Sequence, residues 1–403
     1  MKRTICFSLG ILFIIFSNST FATFDYDYEA IPTWSNSIEV MAKIENKVDL
    51  NIDSESAILM DEDTGTILYT KNEHEKLRPA SVTKVMTLLL AMEALEEGDI
   101  KLDDKVPCSE RARKMGGSQI WLAENEELTV NEMIKAICVV SANDCSVAMA
   151  EFIGGTEEVF VQKMNIRAKE LGMNDTTFKN CHGIDEDGHL TSAYDIAIMS
   201  RELSKNHPEI HNYTKIWMDT LRDGKSELVN TNKLVRFYSG CTGLKTGSTS
   251  LALFNLSATA TRNDLKLIAV VMRGPTSQKR FDDAKKLLDY GFANFSNKII
   301  VSKGAEATKI EIEKANKKEV TVVAENDLIV LLNKGDEKNV KMEIILNENI
   351  SAPLKYLEQV GVQKCYLNDE LIGEVNLVTN EKVERKKWNH IFVEILKTIC
   401  YNE

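Results

Sequence analysis

Residues 79–87 read PASVTKVMT, and they set a hydroxyl, Ser81, and an amine, Lys84, three positions apart behind a proline. The stretch opens the longer run SVTKVMTLLLAMEALEEG, in which Val82, Val85, Met86, Leu89, Met92 and Leu95 recur close to helical spacing. Gly98 follows the last of them as a C-terminal stop. The run therefore predicts a buried helix starting at Ser81. Residues three apart share a helix face, so the hydroxyl and the amine can meet. A lysine at the buried start of such a helix is desolvated, which lowers the pKa of its amine and lets it take a hydroxyl proton. Alone, the pattern is weak: a chain with this serine and lysine content holds about two such spacings by chance. The rest of the chain decides it.

The chain has 403 residues, 43% hydrophobic and 27% charged, enough for two or three domains with their own cores. A net charge of −12 argues against nucleic acid as the main partner. The first residues, MKRTICFSLGILFIIFSNSTFA, join a basic start at Lys2 and Arg3 to an apolar run from Ile5 to Phe16 and small polar residues up to Ala22. That pattern predicts an export leader over 1–22, its apolar run too short for a comfortable membrane span. Cys6 falls inside the leader, which leaves seven cysteines in the mature chain, an odd number that cannot all pair internally. None lies in a Cys-x-x-Cys pattern, so no zinc site and no other cofactor is expected, and buried free thiols are. The six histidines include no His-Glu-x-x-His, and Gly-x-Ser-x-Gly is absent. A zinc protease and an α/β-hydrolase are both disfavoured.

After a linker over 23–48, SESAILMDEDTGTILYTKN reads as strand, turn and strand, with Asp63, Thr64 and Gly65 at the turn. A helical block follows and extends to Arg201–Lys205. From Tyr238 the pattern turns to strands, CTGLKTGSTSLALFNLSATATR and LKLIAVVMRG, and a helix, RFDDAKKLLDYGFANF, closes the unit. An α+β domain over 49–296 results, a sheet at both ends of the sequence with helices between. Short alternating runs over 297–380 predict a small all-β domain. In the tail, 381–403, Trp388, Ile391, Phe392, Ile395, Leu396 and Ile399 form one stripe behind Lys382, Arg385, Lys386 and Lys387. That composition fits an amphipathic helix lying on a membrane surface.

Two further stretches complete a set. VVSANDCS carries Ser141, Ala142 and Asn143 after a buried helical run, and GLKTGSTS carries Lys245, Thr246, Gly247 and Ser248 at the start of a strand. Ser-x-x-Lys, Ser-x-Asn and Lys-Thr-Gly in this order are the signature set of penicillin-binding proteins and class A β-lactamases. The chain resembles the low-molecular-weight penicillin-binding proteins that act as serine-type D-alanyl-D-alanine carboxypeptidases. The resemblance extends to NCHGIDEDGHLTSAYDIAIMSREL, RFDDAKKLLDYGF and SAPLKYLEQVG.

The resemblance implies a penicillin-binding, β-lactamase-like transpeptidase domain and an acyl-transfer mechanism. Ser81 attacks the carbonyl of the penultimate D-Ala, Lys84 accepts its proton, and Ser141 relays that proton to the leaving amine. Asn143 holds the substrate amide. Lys245 and Thr246 meet the terminal carboxylate, Gly247 lets the strand approach closely, and the backbone N–H groups of Ser81 and Ser248 hold the oxyanion. Arg280 corresponds to the family's basic residue before the closing helix, where it helps bind the carboxylate. Family members often carry His where this chain has Ser248, which leaves only the backbone role there. Implied partners are stem peptides of peptidoglycan ending in D-Ala-D-Ala, β-lactam antibiotics as covalent inhibitors, and the outer face of the cytoplasmic membrane.

Three alternatives remain. A class A β-lactamase needs a Glu to activate its deacylating water, and ELGMN offers Glu170. Yet Val161, Met164, Ala168 and Leu171 form a helical stripe that ends there, making Glu170 a solvated last-turn residue. An endopeptidase on the same scaffold would cut crosslinks instead of terminal residues. A catalytically dead penicillin sensor is disfavoured because every chemical residue is present.

Overall fold

The computed structural model describes residues 48–388 except residue 318. The expected leader over 1–22, the linker up to residue 47 and the tail stripe from Ile391 onward lie outside the described residues.

The chain enters as the antiparallel pair β1 (Ser56–Asp61) and β2 (Ile67–Lys71). Asp61 stabilises the turn between them by accepting from the Thr64 backbone N–H at 2.8 Å and its hydroxyl at 2.6 Å. The expected helix begins differently from its pattern. Ala80–Thr83 is a 3-10 turn, and the α-helix α1 starts only at Lys84 and runs to Glu97. Gly98, left-handed at φ +81°, ends it.

The short strands β3 (Lys105–Pro107) and β4 (Glu127–Thr129) flank α2 (Glu110–Arg113). Then come α3 (Val130–Val139), α4 (Asn143–Gly154), α5 (Glu157–Glu170) and α6 (Ala193–Asn206). Thr129 and Glu132 form a reciprocal capping box that fixes where α3 begins, which in turn sets where Ser141 emerges after it. After α7 (His211–Thr214) comes a hairpin that the hydrophobic pattern did not reveal, β5 (Met218–Leu221) with β6 (Ser226–Val229). A turn of helix, α8 (Leu234–Phe237), leads to the long strands β7 (Cys241–Thr249), β8 (Leu253–Arg262) and β9 (Leu265–Gly274), and α9 (Ser277–Asn294) follows.

These strands form one antiparallel sheet in the order β2-β1-β9-β8-β7. Period-2 alternation sends Ile58, Met60, Ile268, Val270 and Met272 into the core shared with the helical block. Ala57, Leu59, Leu267, Ala269 and Val271 pack on the other face, against Phe281, Leu287 and Leu288 of α9. Both faces are covered, so β1 is buried at every position. Each fully buried Leu, Ile or Met contributes about 1.5–3 kcal/mol. This core holds β7 at the sheet's edge, beside the turn that carries Ser81.

Beyond α9 the described residues form mainly strands, with one 3-10 turn at Asp336–Asn339: β10 (Phe295–Val301), β11 (Glu306–Ile310), β12 (Val320–Ala324), β13 (Leu328–Asn333), β14 (Val340–Leu346), β15 (Gln359–Leu367) and β16 (Glu370–Thr379). β10 pairs with β13, and the others form an antiparallel sheet ordered β11-β12-β16-β15-β14. The core of this region reaches past β16 to Val383, fully buried and bonded in both directions to the Leu354 backbone at 2.9 and 3.0 Å. Asn297 ties the region to the first sheet through Asp61 at 2.9 Å and Asp63 at 3.2 Å. Among the described residues, no helix is long and apolar enough to cross a membrane.

Candidate active site

The 3-10 turn before α1 is held from three sides. From β8, the Asn255 side-chain amide donates to the carbonyls of Arg78 and Pro79, both at 2.9 Å. From the segment after α5, Gly183 approaches so closely that a Cβ there would stand 1.9 Å from the Ala80 carbonyl oxygen. From β7, a Cβ on Gly247 would lie 2.9–3.0 Å from Pro79 O, Val82 N and Ser81 N. Only a glycine at position 247 lets the strand pass the serine's backbone this closely. Ala80 is pressed into the left-handed region at φ +49°, a strained conformation for a residue with a side chain.

Starting the α-helix at Lys84 keeps the amine beside the hydroxyl. Lys84 Nζ lies 3.1 Å from Ser81 Oγ, and it donates to Asn143 Oδ1 and to the His182 carbonyl, each at 2.6 Å. The lysine is fully buried while Ser81 is half-buried, so the serine is reachable from solvent and the amine is enclosed. Burial, followed by the charge of nearby Lys245, holds the Lys84 pKa well below the ordinary lysine value. An unpaired buried ammonium costs several kcal/mol, and among the described residues no carboxylate touches this one.

Asn143 opens α4, with its side-chain amide on the Gly116 carbonyl at 2.7 Å and its backbone N–H on the Ser118 carbonyl at 2.7 Å. Ser141, two residues earlier, takes a left-handed backbone at φ +65°, and its buried hydroxyl has no hydrogen-bond partner. The hydrogen bond to Lys84 that a proton relay through Ser141 implies is therefore not made in this structure. An orphaned hydroxyl in a strained turn is stored at a cost, a common feature of functional positions.

On the strand side, Lys245 is buried, its Nζ on the Thr246 carbonyl at 3.0 Å. Burial is the main cause that lowers its pKa to about 7. Thr246 shares a hydrogen bond with the Thr231 hydroxyl at 2.7 Å. Ser248 is exposed. Arg280 is buried, 6% exposed, with one guanidinium nitrogen on the carbonyls of Gly247 (3.1 Å) and Asn255 (3.2 Å). Burial lowers its pKa to about 10, and the Phe281 ring lies 4.7 Å below the guanidinium. It braces the strand that carries Lys245 and Thr246.

The helical side thus gathers Ser81, Lys84 and Asn143, with Ser141 next to them in sequence. The strand side gathers Gly247 and Arg280 around Lys245 and Thr246. Glu170 stands apart: it ends α5, its side chain is 56% exposed, and it pairs with Arg167 at 3.3 Å. The six cysteines among the described residues are all free.

Sequence reasoning missed two contributors. The His182 acceptor is a backbone carbonyl, which no side-chain pattern announces, although the loop around it stands out as NCHG. The Asn255 amide is a lone side-chain amide within an apolar strand, and that anomaly was a usable signal.

Residues 41–276 match a family described as D-alanyl-D-alanine carboxypeptidase, and residues 295–385 match the C-terminal domain of penicillin-binding protein 5. A D-alanyl-D-alanine carboxypeptidase of Bacillus subtilis, DacF, is 43% identical over 337 residues, 83% of this chain and 86% of the relative. Penicillin-binding protein 5 of Haemophilus influenzae is similar in structure, with a TM-score of 0.74 at 33% identity over 83% of this chain and 98% of that one. An ampicillin-bound penicillin-binding protein D2 of Listeria monocytogenes aligns with a TM-score of 0.56 at 29% identity, over 61% of this chain and 100% of that one.

Proposed function

The chain belongs to the D-alanyl-D-alanine carboxypeptidase family, and from that premise we propose that Ser81 is the nucleophile and Lys84 its base. The observation that carries this is the hydrogen bonding of Lys84. A neutral amine has two N–H donors and one lone pair. The carbonyl of Asn143 and that of His182 take the two donors at 2.6 Å, which leaves the lone pair for the Ser81 hydroxyl at 3.1 Å. The depressed pKa of Lys84 favours that neutral form.

The reaction runs in two halves. The Ser81 hydroxyl gives its proton to Lys84 as its oxygen attacks the carbonyl carbon of the penultimate D-Ala. The resulting oxyanion is stabilised by the backbone N–H groups of Ser81 and Ser248. The C–N bond then breaks, and the amine of the departing D-Ala takes the proton held by Lys84, with the unpartnered Ser141 hydroxyl as the relay once bound substrate closes the gap between them. Water, its proton taken by Lys84, next attacks the acyl carbon, frees the shortened peptide and restores Ser81. Asn143 orients the peptide amide, while Lys245 and Thr246 receive the terminal carboxylate. Arg280 adds positive charge and keeps β7 in place. A β-lactam amide opens by the same first attack and leaves a stable acyl-enzyme.

The substrate class is the peptidoglycan stem ending in D-Ala-D-Ala. The leader-like start and the basic, apolar tail support export and attachment to the outer face of the cytoplasmic membrane, and the domain bounds 49–296 and 297–380 are part of the same reading. Mass spectrometry of products from a pentapeptide ending in D-Ala-D-Ala tests the activity: loss of a single alanine is expected. A protein that left the pentapeptide whole and cut only crosslinked dimers would be an endopeptidase.

A further inference from the structure

The loop over 116–122 supplies both carbonyls that hold Asn143, from Gly116 and Ser118. Farther along, the N–H groups of Ile120 and Leu122 each donate to the Asp144 carboxylate at 3.1 Å, and Asp144 is fully buried. Arg222 fastens the same loop by donating to the Ile120 carbonyl at 3.0 Å. Ile120 and Leu122 both sink into the core. Trp121, between them, is 76% exposed, the most exposed large apolar side chain among the described residues. Its φ is +54°, a rare and strained value for a bulky residue. Two anchored neighbours thus force an indole into solvent, one residue from the bonds that fix the first turn of α4.

We propose that Trp121 is a substrate-contact residue, its indole face packing on the stem peptide upstream of the reacting D-Ala-D-Ala pair. The inference rests on the catalytic reading above and extends it to substrate choice. The terminal carboxylate belongs to the strand side, with Lys245 and Thr246, so the opposite side is open to the rest of the peptide. Trp121 is continuous with that side through the loop that holds Asn143. A tryptophan on a fixed backbone has only two side-chain torsions to lose on binding, and it covers a large apolar area. Exposed and rigid, it is built like a binding hot spot.

The test compares two substrates, an N-acylated D-Ala-D-Ala and the full stem pentapeptide, for wild type, Trp121→Gln and Trp121→Phe. Wild-type release of D-Ala from the short substrate checks the catalytic reading separately, so the subsite can fail while that reading stands. Because the side chain is exposed, Trp121→Gln is expected to fold, and its kcat on the short substrate verifies that. The expected result is a loss in kcat/KM of about two- to tenfold on the pentapeptide, carried by KM, with the short substrate unchanged. Trp121→Phe should restore most of it. An equal loss on both substrates would overturn the proposal by marking Trp121 as loop support. So would no loss at all, or a loss seen only when the disaccharide is attached to the peptide.

Discussion

The two sides of the cleft each hold a fully buried lysine, and they hold it differently. Lys84, on the helical side, contacts three oxygens from three segments of the chain. Lys245, on the strand side, donates to one carbonyl, that of the residue next to it. The first amine is surrounded by its partners before any substrate arrives, as a base must be. The second still has unused donors, as a receptor for a carboxylate must have. Burial depresses both pKa values, but under the proposed roles the consequences are opposite: a base works when neutral, a carboxylate receptor when charged.

The largest effects should come from the helical side. Ser81→Ala is expected to abolish D-Ala release and penicillin labelling while the protein melts like wild type. Lys84→Met should lower acylation by about a thousandfold or more, read from the rate of penicillin labelling. Its thermal stability should hold or rise, since an apolar chain of similar length replaces a buried amine. A large drop in melting temperature with acylation preserved would reverse the roles drawn here.

The strand side should cost less and show itself in the pH profile. Lys245→Gln should lower acylation by about a hundredfold in a folded protein. In wild type, kcat/KM should fall as pH rises through about 7, because the receptor lysine loses its charge there. It should fall again on the acid side, where Lys84 becomes protonated. Lys245→Gln should remove the alkaline fall and keep the acid one; a mutant that loses the acid limb instead would exchange the two assignments. Thr246→Ala, which removes one hydroxyl and no charge, should cost no more than about tenfold on the same assay.

How much of this was legible in advance follows the same division. Ser81 and Lys84 declared themselves by spacing, and Gly98 by its place after the last apolar residue, because helix periodicity and stops are local properties. The 3-10 start was not legible. It is imposed by Gly183, Asn255 and Gly247, which pack on the turn from distant parts of the chain. The β5–β6 hairpin was missed because only Leu221 and Leu228 are buried in it, so its pattern is almost wholly polar or half-exposed. β10 was missed because it starts at the last residue of the helix expected before it, Phe295, and its remaining residues are mostly half-buried or exposed, and β15, QVGVQKCYL, is broken by polar residues on its half-exposed face. Within the site, Ser141 was legible as a residue but not in its state, since an orphaned hydroxyl depends on what fails to surround it.

The smallest expected effect concerns the tail. Removing it should leave turnover of soluble peptides nearly unchanged while releasing the enzyme from membranes, with high salt weakening the attachment of the full chain. The cut has to fall after Arg385, because Val383 is part of the β-region core and Arg385 bridges to Ala315. A truncated protein that still sediments with membranes would move the anchor to the N-terminal leader.

The division of labour between the two sides stands or falls on which oxygen is acylated. The most direct measurement is peptide mapping by mass spectrometry after incubation with a penicillin. The adduct should sit on the peptide spanning Ser81 and nowhere else, and be absent from Ser81→Ala. An adduct on Ser141 or Ser248 would contradict the account, since neither hydroxyl lies within hydrogen-bonding reach of the buried amine.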